Sequence, residues 1–188
     1  MPAMYFIALV LPDLINEKVL KYKNYMKEKY DCSVGLKSPA HITLVPPFWM
    51  EVEKENDLKK ELQKFNRINS FELATNHFSA FKPRTIFIAL AASSELEELK
   101  ASVDGYFKDH TYFKFKLDSR PFHPHITIAT RDLSKKNFQE AWPYFEKKEF
   151  LETWKAEGIS VLRHNGKNWD VVHTTLFNDA YSKNHPTQ

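Results

Sequence analysis

The sequence predicts one domain folded as two pseudo-symmetric lobes of mixed strands and helices, and three observations predict it. The first is a repeated order of elements: an aliphatic run, an amphipathic helix, a proline-bearing loop, then a strand opening on His-Ile-Thr. The second is the tetrapeptide Phe-Ile-Ala-Leu, present in both copies at Phe6–Leu9 and Phe87–Leu90. The third is size. A chain of 188 residues suits one domain, because single domains cluster at roughly 100–200 residues. With 43% apolar residues, including 15 Phe, 8 Tyr and 4 Trp, it has ample material for a packed interior.

In chain order, Tyr5–Leu11 (YFIALVL) is an apolar run of strand length, ended by Pro12 and Asp13. Asp13 is expected to cap a helix whose apolar stripe is Ile15, Val19, Tyr22 and Met26. A loop with Gly35 and Pro39 leads to HITLV, residues 52–66 read as helix, and 71–81 as a strand. The order then returns. Thr85–Ala91 (TIFIALA) is a strand, Ser94-x-x-Glu97 has the capping-box pattern, and Leu96, Leu99, Val103 and Tyr106 form the stripe of the second helix. A loop with Pro121 and Pro124 leads to HITIA. The distance from the tetrapeptide to the motif histidine is 35 residues in the first copy (41 − 6) and 38 in the second (125 − 87), so the halves run over about 4–50 and 84–131. Only two copies occur, which argues against a solenoid. Ser134–Lys148 begins as a helix that Pro143 is expected to kink or interrupt. Residues 150–162 and 168–177 flank Asn165-Gly166, a hairpin signal, giving a C-terminal hairpin over 150–177. The tail from Ser182 is polar and expected to fray.

Several function classes are excluded or left without support. The longest apolar runs fall far short of the roughly 20 residues of a membrane helix. The N-terminus lacks the basic flank of a signal peptide, so the expected setting is cytoplasmic. The single cysteine, Cys32, excludes an intramolecular disulfide and reads as an ordinary thiol in a reducing compartment. A formal charge of +3 tolerates a phosphate-bearing ligand but is too small for a duplex-binding surface.

The chemistry lies in the two His-x-Thr strands. Successive side chains of a strand alternate faces, so His41 and Thr43 share one face while Ile42 and Leu44 anchor the other. His125 and Thr127 do the same, backed by Ile126 and Ile128. A pseudo-twofold relation between lobes brings two imidazoles and two hydroxyls around one cleft. Such a set can move a phosphodiester bond without a metal: a neutral imidazole takes a proton from water or a hydroxyl, and a protonated one gives a proton to the leaving oxygen. The threonine hydroxyls can donate to non-bridging oxygens as charge develops. The bare motif is weak, since chance supplies about 0.4 matches in this composition. His173-Thr174-Thr175 is a third match, but it lacks the intervening aliphatic residue and the upstream strand-helix unit, and it reads as structural. The repeat is what raises His41 and His125 above it.

Two HxT-aliphatic motifs, each after a strand-helix unit and together spanning Tyr5 to Phe177, resemble the 2H phosphoesterase superfamily, which includes 2′-5′ RNA ligase-like proteins and 2′,3′-cyclic nucleotide phosphodiesterases. The resemblance implies a bilobal α+β fold, antiparallel sheets lining a central cleft with helices outside, and no required metal or other cofactor. It implies His41 and His125 as the acid/base pair, with His41 leaning to acid and His125 to base, and Thr43 and Thr127 as phosphate ligands. The expected partner is an RNA end or small nucleotide with a cyclic phosphate or a 2′-5′ linkage, handled by a monomer; the alternative is a module that binds such ligands without chemistry. There are departures. Members often carry a basic residue five positions after the second histidine, where this chain has Thr130 and then Arg131; PPFW replaces the Phe-Leu-Gly common after the first motif.

Arg131 is therefore a candidate phosphate contact or a plain surface arginine. Phe48, Trp49 and Phe122 lie near the motifs and are candidates to stack on a base, or core residues. Lys37, Arg84 and Arg120 are candidate rim cations or solvated charges. His123-Pro-His125 invites a metal reading, but no carboxylate or cysteine with metal-site spacing stands nearby. His77, His110, His164 and His185 have no constellation around them.

Overall fold

The computed structural model describes residues 1–108, 113 and 120–179, which form two four-stranded sheets and four α-helices. His110, His185 and the tail from Ser182 lie outside the described residues. The elements are β1 (Pro2–Val10), α1 (Asp13–Tyr30), β2 (His41–Glu51), α2 (Glu55–Leu62), β3 (Phe71–Phe81), β4 (Thr85–Leu90), α3 (Ser94–Lys108), β5 (His125–Ala129), α4 (Lys135–Glu146), β6 (Thr153–Ala156), β7 (Gly158–His164) and β8 (Trp169–Leu176). One sheet has the order β2-β1-β7-β8 and the other β5-β4-β3-β6, with every pair of strands antiparallel. Strand alternation splits each sheet into a core face and a polar-aromatic face. On β1, Tyr5, Ile7 and Leu9 join the core with the apolar stripes of the helices, whereas Phe6 and Ala8 face the other way and cluster with Leu162 and Trp169. Among the described residues no helix is long and apolar enough to cross a membrane.

The duplication is real in space, but the tetrapeptide marks it out of register. Val10 lies opposite His41 and Ala8 opposite Thr43 in the first lobe; Ala89 lies opposite His125 and Phe87 opposite Thr127 in the second. The counterpart of Phe87 is thus Ala8, two positions beyond Phe6. Because side chains alternate with a period of two, the slip leaves both phenylalanines on the cleft face. Both copies also carry the same β-bulge, at Leu44 and at Ile128, directly after the threonine. A bulge lets two consecutive residues face the core. Leu44 and Val45 are 1% and 0% exposed, and Ile128 and Ala129 1% and 0%, which gives the two motifs one burial pattern.

Local chemistry departs from the sequence reading at three points. Asp13 does not cap α1: Pro12 holds the N-cap position and its carbonyl accepts from the Ile15 and Asn16 amides, leaving Asp13 as an acidic first-turn residue. Ser93 rather than Ser94 caps α3, its hydroxyl accepting from the Leu96 amide at 3.2 Å, while Ser94 donates to Glu95. Helix α4 runs through Pro143 to Glu146 without interruption. Pro143 and Gln139, whose carbonyl loses its partner, both face solvent, and buried Phe138, Ala141 and Phe145 hold the helix down. The expected C-terminal hairpin forms as β7–β8 around Gly166 at φ +96°, with Asn165 Oδ1 accepting from the Lys167 and Asn168 amides. Its approach strand is split, however. β6 pairs with β3 in the second sheet, and after Glu157 the chain crosses to pair β7 with β1 in the first.

Candidate active site

Strands β2 and β5 belong to different sheets yet run beside each other, so the two motifs meet at the join between lobes. Each histidine is held by the same device. His41 Nδ1–H donates to the Pro39 carbonyl at 2.8 Å, and His125 Nδ1–H donates to the His123 carbonyl at 2.7 Å. A carbonyl only accepts, so Nδ1 carries the proton in both rings and Nε2 keeps a free lone pair. The residue two positions before each histidine acts through its backbone, which explains a Pro-Ala pair in one copy and His-Pro in the other: the local chain shape matters and the side chain does not.

Beside them lies a cleft of about 180 Å³. From β2 it receives His41, Thr43 and Pro47; from the end of β5, Thr127, Thr130 and Arg131. Phe6 and Trp169 form its apolar side, and Gly35 and Ser38 stand in its wall with Val34. Phe6 packs against the His41 ring at 4.8 Å and meets Trp169 edge-on at 4.7 Å. His125, on β5 two residues before Thr127, is packed by Phe81 at 5.1 Å and Phe87 at 5.0 Å. The wall is drawn against the second lobe by Asp132, whose Oδ2 accepts from the Ser33 and Val34 amides at 2.7 and 2.8 Å. Close approach here requires glycine, since a Cβ on Gly35 would stand 2.3 Å from the Ile128 carbonyl oxygen.

Burial pushes both imidazole pKa values down. His41 falls to about 4, chiefly by desolvation, partly offset by its bond to Pro39 and deepened by the charges of Lys23 and His125. His125 is lowered by desolvation and by His123, against the bond to the His123 carbonyl. Both rings are neutral near neutral pH, and an anion in the cleft favours protonation.

Of the residues singled out in the sequence, the cleft gathers His41, Thr43, Thr127 and Arg131; His125 is not among its lining residues but stands near enough to His41 to lower its pKa. It does not gather three aromatics. Phe48 is half-buried and stacked on Tyr5, Trp49 is 67% exposed on β2 away from the lining, and Phe122 packs on the core beneath Lys100. Lys37, Arg84 and Arg120 are exposed, and His123 is exposed against Phe81. Among the described residues no group of three or more His, Cys, Asp and Glu side chains is placed to hold a metal ion. His173 sits on edge strand β8, its Nε2 3.1 Å from Gln63 Nε2 and 3.0 Å from Thr175 Oγ1. Cys32 is buried and its thiol is pushed up to about 11. Sequence reasoning missed Phe6, Trp169, Gly35 and Lys23. Phe6 carried a signal, since the tetrapeptide puts a phenylalanine on the histidine face in both copies; Trp169 arrives from a distant hairpin and had none.

Two antiparallel sheets with four helices, carrying two His-x-Thr strands that run beside each other, place the protein in an α+β two-sheet class. The sequence profile of the 2′-5′ RNA ligase superfamily matches residues 12–168, and the chain belongs to this superfamily of 2H phosphoesterases. A protein of Geobacillus sp. (strain WCH70), provisionally named a phosphoesterase, is 26% identical over 167 residues, covering 86% of this chain and 91% of its own. A similarly named protein of Geobacillus kaustophilus (strain HTA426) is 26% identical over 166 residues, covering 85% and 90%. In fold, the chain is similar to E. coli LigT complexed with 3′-AMP, at TM-score 0.71 and 17% identity over 95% of this chain and 100% of that one. The Thermus thermophilus protein TT0787 gives 0.67 and 16%, with the same coverage. Family membership and the names of the relatives support a phosphoesterase activity.

Proposed function

We propose that the protein is a metal-independent phosphoesterase of RNA ends or small nucleotides, which opens 2′,3′-cyclic phosphates or cleaves or joins 2′-5′ linkages by acid/base catalysis with His41 and His125, as a cytoplasmic monomer. The observation that supports this reading is the matched pair of imidazoles, each with Nδ1–H tied to the carbonyl two residues back, on strands that also carry Thr43 and Thr127 of the cleft lining. In hydrolysis of a cyclic phosphate, the neutral imidazole takes a proton from water as the water oxygen bonds to phosphorus. The bond from phosphorus to one ribose oxygen breaks, and the protonated imidazole delivers a proton to that oxygen. The products are a phosphomonoester and a free hydroxyl; in ligation a 5′-hydroxyl takes the place of water, giving up its proton to the base as its oxygen bonds to phosphorus, and the product is a 2′-5′ phosphodiester with a free 3′-hydroxyl. Thr43 and Thr127 donate to the non-bridging oxygens, and Arg131 at the open side adds charge. Phe6 and Trp169 offer a stacking face for a base, as aromatic side chains do for single-stranded ends. E. coli LigT has been crystallised with 3′-AMP, NADP+ and ATP, ligands compatible with a nucleotide-sized site in this fold.

A panel of 2′,3′-cyclic nucleotides, 2′-5′ oligonucleotides and cyclic ADP-ribose phosphates, assayed with and without chelator, tests the proposal. Turnover of a cyclic phosphate that survives chelation is expected. Activity lost to chelator and restored by zinc would overturn the metal-free mechanism, and binding without turnover across the panel would make the cleft a recognition module.

A further inference from the structure

Two lysines are buried among the described residues, and they differ in what compensates them. Lys100, 9% exposed on α3, is ion-paired to Asp104. Lys23, 3% exposed on α1, has no carboxylate partner among the described residues; its Nζ donates to the Ser38 carbonyl at 3.1 Å. A buried ammonium without a counter-charge costs stability, and an apolar residue of similar volume is the more stable choice. The location of Lys23 suggests what it is kept for. Ser38 and Gly35 both line the cleft, and Lys23 Cγ lies 3.8 Å from where a Gly35 Cβ would stand, so the lysine runs directly behind the cleft wall. Its field reaches the site, being one cause of the lowered His41 pKa. Burial brings its own pKa down to about 8, which leaves it mainly charged at neutral pH.

We propose that Lys23 is a positioning residue: from behind the wall its ammonium supplies a fixed positive charge that draws a phosphate group against Thr43 and His41 without touching it. The inference rests on the phosphoesterase reading of the cleft. A charge shielded from water is little screened and acts at a distance that a surface cation cannot match. Arg131, exposed at the open side, is screened, so the two cations divide the work: Arg131 meets the phosphate and Lys23 holds the potential. The anion in the cleft is then the counter-charge that Lys23 otherwise lacks.

Lys23→Met removes the charge and keeps the volume, and Lys23→Gln removes the charge while keeping a donor for the Ser38 carbonyl. Calorimetry with inorganic phosphate, steady-state kinetics on the best cyclic substrate, NMR titration of His41 and melting temperature are read for wild type and both variants. Expected are a melting temperature for Lys23→Met no lower than wild type, phosphate affinity weakened about tenfold in both variants, KM raised with kcat little changed, and a His41 pKa that rises. Wild-type phosphate affinity in Lys23→Gln would reduce Lys23 to a strut for Ser38, and unchanged affinity with an unmoved His41 pKa in both variants would overturn the proposal alone. A wild-type protein that neither binds phosphate nor turns over any substrate would overturn it together with the phosphoesterase reading.

Discussion

The two halves of the site share a backbone and differ in what surrounds it. Around His41 and around His125 the chain repeats the tie from Nδ1 to the carbonyl two residues back, the bulge after the threonine, and the buried pair that follows. The surroundings then diverge. His41 has one phenyl ring, Phe6, with the charge of Lys23 behind the wall, while His125 stands among Phe81, Phe87 and the His123 ring and is followed by Arg131. Burial brings the His41 pKa down to about 4 and lowers that of His125 as well. Duplication supplies two copies of one backbone tie to an imidazole, and the neighbours make the two rings unequal, as the proposed acid/base roles require, because one ring must give a proton while the other takes one.

The largest expected effect breaks the comparison at its centre. His41→Ala and His125→Ala should each lower kcat on a cyclic phosphate by about a thousandfold or more while the fold persists. A phosphodiester with a nitrophenoxide leaving group needs no general acid, so one of the two variants should recover most of its rate on it and the other should not. The recovered variant identifies the acid. The family resemblance assigns that role to His41. Recovery of both variants, or of neither, would remove the division of roles.

A smaller effect sharpens the difference between the rings. His41 is held near 4 when folded and reverts to about 6.5 when unfolded. Between those values the unfolded chain binds a proton that the folded chain refuses, so stability is full above about pH 6.5 and falls as the pH drops toward 4. Burial is the main cause of the shift, which sets the scale at up to about 3 kcal/mol across that window. Urea unfolding at a series of pH values should show a slope that His41→Gln flattens strongly. His125→Gln should flatten it with the same sign, since the His125 pKa is lowered by the same cause. Equal slopes in wild type and His41→Gln would mean that His41 is not desolvated in solution.

How much of this asymmetry could be read from the sequence depends on whether its cause is local. Strand alternation placed Thr43 with His41 and Thr127 with His125, and the recurring Leu44-Val45 and Ile128-Ala129 pairs carried the bulge, although it was not read as one. The tetrapeptide exposed the duplication while misplacing its register by two residues, an error that period-two alternation renders harmless. The capping of α3 slipped by one residue because Ser93 and Ser94 offer the same hydroxyl. What stayed hidden was assembled from afar: Trp169 reaches Phe6 through the crossover of the C-terminal hairpin, Lys23 reaches the wall from α1, and Asp132 ties that wall to the other lobe. No pattern along the chain reports a contact between residues 99 positions apart.

The smallest effects concern one glycine in each lobe. Gly35 sits where the wall meets β5, and any Cβ there would lie 2.3 Å from the Ile128 backbone oxygen, which cannot swing aside as a side chain would. Gly35→Ala should therefore force the wall off the bulge, destabilising the fold by about 1–3 kcal/mol in denaturant unfolding and weakening phosphate binding as Ser38 and the wall shift. Gly105 lies within α3, and a Cβ there meets nothing within 4 Å. Gly105→Ala should stabilise by about 0.4–1 kcal/mol, because alanine narrows the unfolded ensemble at a position whose backbone is already helical, and it should leave phosphate binding unchanged. The opposite signs follow from geometry alone: one glycine is required by the approach of the two lobes at the cleft, and the other by nothing the structure contains. If Gly35→Ala proved as harmless as Gly105→Ala, the wall would be loose in solution, and the close packing that places Ser38 and Lys23 beside the motif strands would not hold.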